Sequence, residues 1–239
     1  MNVRKVLEPG PTVWWGWREA LAVVLGAHVV LIFAGGILVG SRGSGGDPVP
    51  IAWQFGATVP FWLAAIGGSW WVGHRSDEGV RVSLGLFLRP IDLVSGAVTG
   101  VAMQLVVIPV VYRLIVLPLS NSTMDDLERP AKELVNASTG AVATVLFVLM
   151  TCVCAPVAEE VLYRAVLQRG AGRESAIVGI ATAAVVFGFA HFQPLQLIGL
   201  ALFGASSGFL VWRTGRLGPG VVAHIAFNTA TVVTLLANR

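Results

Sequence analysis

Long, continuously apolar segments alternate along this chain with short polar ones. Hydrophobic residues fill several windows of more than about 18 positions, the length at which a helix crosses the hydrocarbon core of a bilayer. These segments lack the strict alternation of inward and outward residues that a membrane barrel requires. The pattern predicts an all-α, polytopic transmembrane helical bundle of about seven to eight spans, of which seven can be placed, at residues 20–40, 51–73, 92–116, 141–169, 175–192, 194–213 and 218–237.

The order of apolar and polar segments divides the chain into three parts. Residues 1–120 are predicted to form N-terminal transmembrane helices and loops, residues 121–140 a polar loop, and residues 141–239 a helical core. The 41–50 loop between the first two spans is rich in Gly and Pro. Three GxxxG pairs predict close contacts between helices: Gly36 with Gly40, Gly96 with Gly100, and Gly204 with Gly208.

Composition and charge support a membrane protein. Of the 239 residues, 55% are hydrophobic and 12% are charged, and the mean hydropathy is +0.77. Basic residues are scattered singly among the loops without a dense patch, so we expect the bilayer to be a partner and nucleic acid not to be one. The positive-inside rule favours a multi-pass cell-membrane protein with a cytoplasmic N-terminus. Eleven of the 16 Lys and Arg residues then face the cytoplasm: Arg4, Lys5, Arg18, Arg75, Arg81, Arg89, Arg164, Arg169, Arg173, Arg213 and Arg216.

Aromatic residues and cysteines add two smaller expectations. Tryptophans near the ends of the first two spans are predicted to lie at the membrane interfaces: Trp14, Trp15, Trp17, Trp70 and Trp71. Cys152 and Cys154 are the only cysteines in the sequence and point to different helix faces. They are most simply small buried hydrophobic residues.

The fourth apolar segment continues without a turn signal into Glu159, Glu160 and Arg164. One charge at the centre of a span costs roughly 2.5–3.5 kcal/mol, so these side chains must pair, face the bundle interior or contact water. Glu160 and Arg164 are four residues apart and are expected to form an ion pair on one helix face. Glu159 points elsewhere, and Pro156 loosens the helix beside it. We therefore expect Glu160 to be structural and Glu159 to be chemical.

Two further spans carry polar groups at helical spacing. Phe187 and His191 lie near the end of the fifth span, and His224 and Asn228 lie within the seventh. Each pair is spaced i, i+4 and so occupies one helix face. Buried histidines are common in cores, but Glu, Arg, two His and Asn together inside apolar spans indicate a functional site.

These residues form three motifs that resemble the CPBP family of intramembrane proteases, which includes type II CAAX prenyl endopeptidases and abortive-infection proteins. EExxxR corresponds to Glu159, Glu160 and Arg164, FxxxH to Phe187 and His191, and HxxxN to His224 and Asn228. The resemblance covers residues 141–232, so the active site is expected in the four C-terminal spans. It implies hydrolysis of membrane-anchored proteins or peptides.

The resemblance also implies catalytic roles. Glu159 and His191 would activate a water molecule, while His224 and Asn228 would stabilise the oxyanion, with Glu160, Arg164 and Phe187 in support. This chemistry is sound, because a carboxylate among apolar helices can act as a base near neutral pH and fixed donors suit a developing negative charge. Counted from the 170–174 loop at 1.5 Å per residue, Glu159 lies roughly 16 Å along its helix and His191 roughly 26 Å along the next. Helix tilt or a kink must compensate for this difference in depth.

Three alternatives remain open at this stage. Glu159, His191 and His224 offer the ligand types of a catalytic zinc ion, although the sequence has no HExxH motif. GASSG, from Gly204 to Gly208, reads as the G-x-S-x-G motif of serine hydrolases but lies in an apolar helix, where close packing is the simpler interpretation. A non-enzymatic scaffold or transporter, including a toxin or bacteriocin self-immunity protein, could also bury such charges.

Overall fold

A computed structural model of the chain describes residues 13–42 and 49–237, and this part of the chain forms helices without strands. Nine helices follow one another, with the bounds α1 Trp17–Arg42, α2 Ile51–His74, α3 Gly79–Ser83, α4 Pro90–Ser120, α5 Met124–Ala137, α6 Ala141–Ala171, α7 Ala176–Ala190, α8 Leu197–Thr214 and α9 Gly218–Ala237. The all-α fold class is therefore confirmed. Helix α9 packs along α4, α7 along α8, and α1 along α2.

All seven segments expected to span the membrane are helical, but their number as spans is not confirmed. Five helices of the described chain are long and apolar enough to cross a bilayer, namely α1, α4, α6, α8 and α9. Helix α2 has the length but is not among these five, and its sequence includes Gln54, Pro60 and several glycines. Helix α7 is apolar but has only 15 residues. The polytopic bundle is established, and the exact span count stays a prediction.

Helices α4 and α6 contain four π-helical stretches. Three of them end two residues before a proline: Met103–Val107 before Pro109, Tyr112–Val116 before Pro118, and Met150–Cys154 before Pro156. Proline donates no backbone hydrogen bond and crowds the carbonyl one turn earlier, so a widened turn before it is a natural accommodation. The fourth stretch, Val161–Gln168, has Gly170 at the corresponding position and needs another cause.

The segment 121–140, expected to be a polar loop, contains helix α5. Asp126 N donates to Thr123 Oγ1 at 3.2 Å, and Thr123 N donates to Asp126 Oδ2 at 2.9 Å, so a capping box starts the helix. Apolar side chains recur every three or four residues on one face, at Met124, Leu127, Ala131 and Leu134. The helical spacing of these side chains, inside a segment rich in charge, makes α5 an amphipathic helix.

Glycines permit the closest helix contacts in only some of the predicted places. A Cβ on Gly96 would lie 2.7 Å from Pro219 O, and one on Gly100 would collide with Ala223 O, so this pair lets α4 approach α9. The same expectation for Gly36 and Gly40 is wrong, because a Cβ on either would meet no atom within 4 Å among the described residues.

The tryptophans divide between surface and core. Trp14, Trp17, Trp70 and Trp71 are exposed, but Trp15 is fully buried, and its Nε1 donates to Val166 O at 3.1 Å. The indole of Trp15 thus packs against α6 and finds a carbonyl partner there, while its depth in the membrane stays a prediction. Both cysteines are free thiols, with Cys152 buried and Cys154 half-buried. Arg4, Lys5 and most of the 41–50 loop lie outside the described residues.

Candidate active site

Glu160 and Arg164 form the buried base of the site. Both side chains are 0% exposed, and Arg164 Nε lies 3.4 Å from Glu160 Oε2, so the expected ion pair is present. Ser207 on α8 donates to the same Glu160 oxygen at 2.6 Å. The guanidinium of Arg164 also lies over the ring of Phe187, with 5.3 Å between Cζ and the ring centroid. Contacts from two other helices thus hold the Glu160 carboxylate.

His224 lies between the two glutamates. Its Nδ1 is 3.2 Å from Glu160 Oε1, and its Nε2 is 3.9 Å from Glu159 Oε2. Because a carboxylate only accepts, Glu160 takes the Nδ1–H and sets the orientation of the imidazole ring. Nε2 of His224 then faces Glu159, whose side chain is 16% exposed and borders a cavity.

His191 follows the last residue of α7. Its Nδ1 donates to Phe187 O at 2.8 Å, since a backbone carbonyl can only accept, and this leaves Nε2 as the acceptor of a neutral ring. Phe187 lies edge-on to both histidines, with ring centroids 4.7 Å from His191 and 5.6 Å from His224. Phe192, the next residue, is 75% exposed. Its φ of 53° lies in the left-handed region and turns the chain directly after His191.

Asn228 lies one turn beyond His224 on α9. Its Nδ2 donates to Thr151 O at 2.7 Å, and that carbonyl belongs to the π stretch Met150–Cys154 before Pro156. Widening of a helix changes how its carbonyls are paired, so one of them can accept from a side chain. The amide of Asn228 is fixed by one of its two N–H groups.

A cavity of about 580 Å³ contains all four residues predicted to be catalytic, Glu159, His191, His224 and Asn228. Its walls come from α1, α2, α4, α5, α6, α8 and α9, and most of its lining side chains are apolar. Met124, Leu127, Ala131 and Leu134 of α5 belong to the lining, so the apolar face of that amphipathic helix covers the cavity. Gln196, in the loop after His191, donates to Leu127 O at 2.9 Å and ties α5 to this loop.

The structure therefore brings together the groups that the sequence placed on separate spans. Glu159 and His191 were expected at different depths along their helices, yet both line the same cavity. The π-helical stretches on either side of Glu159 make α6 irregular there. An irregularity of this kind was expected from the difference in depth between Glu159 and His191. Glu160, Arg164 and Phe187 lie behind the cavity wall and are fully buried.

The three zinc candidates do not form a metal site as placed. Glu159, His191 and His224 share the cavity, but within the described ranges no group of three or more His, Cys, Asp or Glu side chains is arranged to hold a metal ion. Nδ1 of each histidine is directed at an oxygen acceptor, which leaves each Nε2 without a recorded hydrogen bond and is also the usual orientation of a metal-bound histidine. A catalytic zinc ion needs three convergent ligands, and whether this protein binds one stays a prediction.

The G-x-S-x-G sequence lies inside helix α8 and has no strand or sharp turn before Ser206. Ser206 donates to Leu202 O at 3.0 Å, and Ser207 donates to Glu160. A Cβ on Gly204 would lie 3.1 Å from Ala184 Cα, so the glycine permits close contact with α7. The packing interpretation fits this geometry, whereas the nucleophile elbow of serine hydrolases requires a strand–turn–helix context.

Sequence reasoning missed three partners of the site. Ser207 was considered only as a nucleophile, and Thr151 carried no signal because its backbone carbonyl is what binds Asn228. Tyr163 was also missed, and its hydroxyl lies 3.0 Å from Nε2 of His28 on α1. Since His28 Nδ1 donates to Val24 O, its Nε2 accepts a hydrogen bond from the Tyr163 hydroxyl. A polar residue inside an apolar span was the one available signal for His28.

Comparison with known proteins supports the interpretation of the three motifs. Residues 141–230 match the family model described as type II CAAX prenyl endopeptidase Rce1-like. No curated protein and no solved structure matches the chain. The matched region contains EExxxR, FxxxH and HxxxN in order, together with the base of the cavity. Residues 141–230 are therefore similar to the Rce1-like type II CAAX prenyl endopeptidases, in agreement with the resemblance of the three motifs to the CPBP family of intramembrane proteases.

Proposed function

We propose that this protein is an intramembrane endopeptidase in which Glu159 and His191 activate a water molecule that hydrolyses a peptide bond. The observation that carries the proposal is the shared cavity, which holds Glu159, His191, His224 and Asn228 within a bundle of apolar helices. The match of residues 141–230 to a protease family model supports the same activity. Polar groups at this depth are expensive, and catalysis accounts for their retention.

The proposed reaction assigns one task to each group in the cavity. Water bound between Glu159 and His191 gives a proton to the Glu159 carboxylate as its oxygen attacks the carbonyl carbon of the substrate. The carbonyl oxygen becomes negative and accepts hydrogen bonds from Nε2–H of a protonated His224 and from the second Nδ2–H of Asn228. The tetrahedral intermediate then collapses, the C–N bond breaks, and Glu159 returns the proton to the leaving amine.

Glu160 has a positioning role in this scheme. Its carboxylate binds Arg164, Ser207 and Nδ1 of His224, so it holds the imidazole with Nε2 toward Glu159. The carboxylates of Glu159 and Glu160 carry two negative charges, and the guanidinium of Arg164 carries one positive charge. A positive charge on His224 would balance the remaining negative charge. This contact between Glu160 and His224 explains why two adjacent glutamates have different tasks.

The shape and lining of the cavity support a membrane-anchored substrate. Its walls are mainly apolar, and α5 covers it where α4 and α9 end. An extended, membrane-anchored protein or peptide could enter there with apolar side chains against the walls.

We place the N-terminus, the 74–91 loop and the 170–174 loop on the cytoplasmic side from the positive-inside rule. Labelling Arg173→Cys and Asp125→Cys from each side, in a protein without Cys152 and Cys154, would test that orientation.

A comparison of protein termini in membranes tests the activity without a known substrate. Cells that produce the native protein are compared with cells that produce Glu159→Gln, and Ser206→Ala serves as a control in the neighbouring helix α8. We expect a set of new termini that is present with the native protein and Ser206→Ala and absent with Glu159→Gln. Identical termini in all three would support the scaffold alternative and contradict the proposed activity.

A further inference from the structure

Three polar side chains near the end of α6 are buried with too few hydrogen-bond partners. Within residues 13–42 and 49–237, no hydrogen-bond partner is found for Nε, Nη1 and Nη2 of Arg164, Oε1 of Gln168 or Nε of Arg169, although Arg164 Nε forms the ion pair with Glu160. Arg164 is 0% exposed, Gln168 6% and Arg169 7%. Buried polar atoms in native proteins are usually satisfied, and ordered water supplies the partner where protein atoms do not.

A small cavity of about 30 Å³ lies next to two of these side chains. Gln168 and Arg169 line it, together with Gly172, Ala176, Val211, Trp212 and Gly215. A water molecule needs about 10–15 Å³ by this measure, so the space accommodates about two. Water that accepts from Arg169 Nε and donates to Gln168 Oε1 satisfies both atoms. Since Gly215 is exposed, this end cavity borders the surface of the protein.

Arg169, Gln168 and Arg164 form a polar column that runs inward from the end cavity beside helix α8. A Cβ on Gly208 would lie 2.6 Å from Gln168 Oε1, and a Cβ on Gly204 would lie 3.3 Å from Arg164 Nη2, so both glycines face the unpartnered atoms. Arg164 Nη2 and Gln168 Oε1 thus both border the contact between α6 and α8, where a bridging water molecule would accept from the guanidinium and donate to the amide oxygen. Arg164 Nε then reaches Glu160 Oε2 at 3.4 Å.

The end cavity and the substrate cavity, which is the cavity of about 580 Å³ that contains Glu159, lie toward opposite ends of α9. The substrate cavity extends to Thr234 and Leu235 near the end of α9, while the end cavity lies beside Gly215, just before α9 begins. Filling the substrate cavity displaces water from one side of the site only. Neither Glu160 nor Arg164 lines the substrate cavity, so the contact between them lies outside the space that substrate would fill.

We propose that Arg164, Gln168 and Arg169 hold a file of buried water molecules that leads from the end cavity to the Glu160 carboxylate. This file hydrates the Glu160–Arg164 pair while substrate fills the cavity, and so it maintains the orientation of His224. It also explains why the π stretch Val161–Gln168 forms without a proline, since the widened turn faces bound water. The catalytic consequence rests on the proposed peptidase function, whereas the presence of the water does not.

Nuclear magnetic resonance can detect the water directly in the full-length protein. With ¹⁵N-arginine and lipid nanodiscs, magnetisation transfer from water to the Nε–H groups of Arg164 and Arg169 is measured. The ring-current shift from Phe187 assigns Arg164, and Arg169→Lys assigns Arg169. We expect water contact at both groups in the native protein. In Gly204→Ala the contact at Arg164 should be lost and the contact at Arg169 should remain. If Arg164 of the native protein shows no contact with water, the proposed file of water molecules is refuted.

Kinetics then test what the file does. We expect Gly204→Ala to lower kcat about tenfold, with KM changed less than about twofold. Gly73→Ala is the matched control, because its Cβ would lie 3.0 Å from Leu84 Cγ, a comparable crowding far from the column. It should keep both kcat and the water contacts. A Gly204→Ala protein that loses the water but keeps its kcat overturns the catalytic role. Water contact in a native protein without peptidase activity supports the file and refutes the proposed function alone.

Discussion

Replacing Glu160 with Gln removes a negative charge from a fully buried side chain. The carboxylate binds Ser207 Oγ at 2.6 Å, His224 Nδ1 at 3.2 Å and Arg164 Nε at 3.4 Å. Glutamine keeps nearly the same shape, so the perturbation is mainly the loss of charge. Arg164, which is also 0% exposed, is then left without its counter-ion. Glu159→Gln is the matched variant, because it makes the same chemical change one residue earlier.

The magnitude follows from the burial of the pair. Leaving one member of a buried ion pair unpaired costs about 3–5 kcal/mol. For chains of about 150–250 residues, 1 kcal/mol corresponds to about 2–4 °C in melting temperature, so Glu160→Gln should lower the Tm by about 6–20 °C. Glu159 is 16% exposed and lies 3.9 Å from His224 Nε2, beyond hydrogen-bond distance. Its replacement should change stability by less than about 1 kcal/mol.

Thermal unfolding of the purified proteins, followed by tryptophan fluorescence, measures this difference. The expected pattern is a lowered Tm and lowered activity for Glu160→Gln, and a native Tm without activity for Glu159→Gln. Equal destabilisation in the two variants would refute the division between a positioning and a catalytic glutamate. So would a Glu160→Gln protein with native stability and activity, since the ion pair would then contribute nothing.

Three further predictions concern other parts of the site and fold. Ser206→Ala should keep native activity and Ser207→Ala should keep most of it, with stability lowered by about 1 kcal/mol through the lost bond to Glu160; abolished hydrolysis in Ser206→Ala would favour the serine mechanism. Prolonged chelation should leave peptidase activity unchanged, since the three candidate ligands do not converge; loss of activity that one equivalent of metal restores would contradict this. Arg216→Met should lower the Tm markedly, because the fully buried Asp92 loses the partner whose Nε donates to it at 2.9 Å. Adding Asp92→Asn should recover part of that loss, and additive effects would exclude the pair as the cause.

Local patterns in the sequence predicted the parts of this site that depend on one helix. The spacing of Glu160 and Arg164 predicted their ion pair, and the spacing of His224 and Asn228 predicted a shared helix face. Continuous hydrophobicity predicted where the long helices lie, because a helix in a bilayer needs apolar side chains over its whole length. Neither inference requires knowledge of which helices are neighbours.

Contacts between helices could not be predicted in the same way. The bond from Ser207 to Glu160 joins α8 to α6, and the bond from Asn228 to Thr151 joins α9 to a carbonyl. Trp15 was expected at the interface, although its indole is buried against α6. In a bilayer the apolar character of a helix does not determine which helices pack against it, because lipid and protein are equally apolar surroundings. Close packing and single polar contacts make that choice.

In the proposed mechanism the Glu159 carboxylate carries out the hydrolysis. Cleavage of a membrane-anchored peptide, chosen from the terminus comparison, is therefore measured with purified native and Glu159→Gln proteins in liposomes. We predict hydrolysis by the native protein and none detectable by Glu159→Gln, with equal Tm and equal binding of the peptide. Cleavage by Glu159→Gln at the native rate would contradict the account.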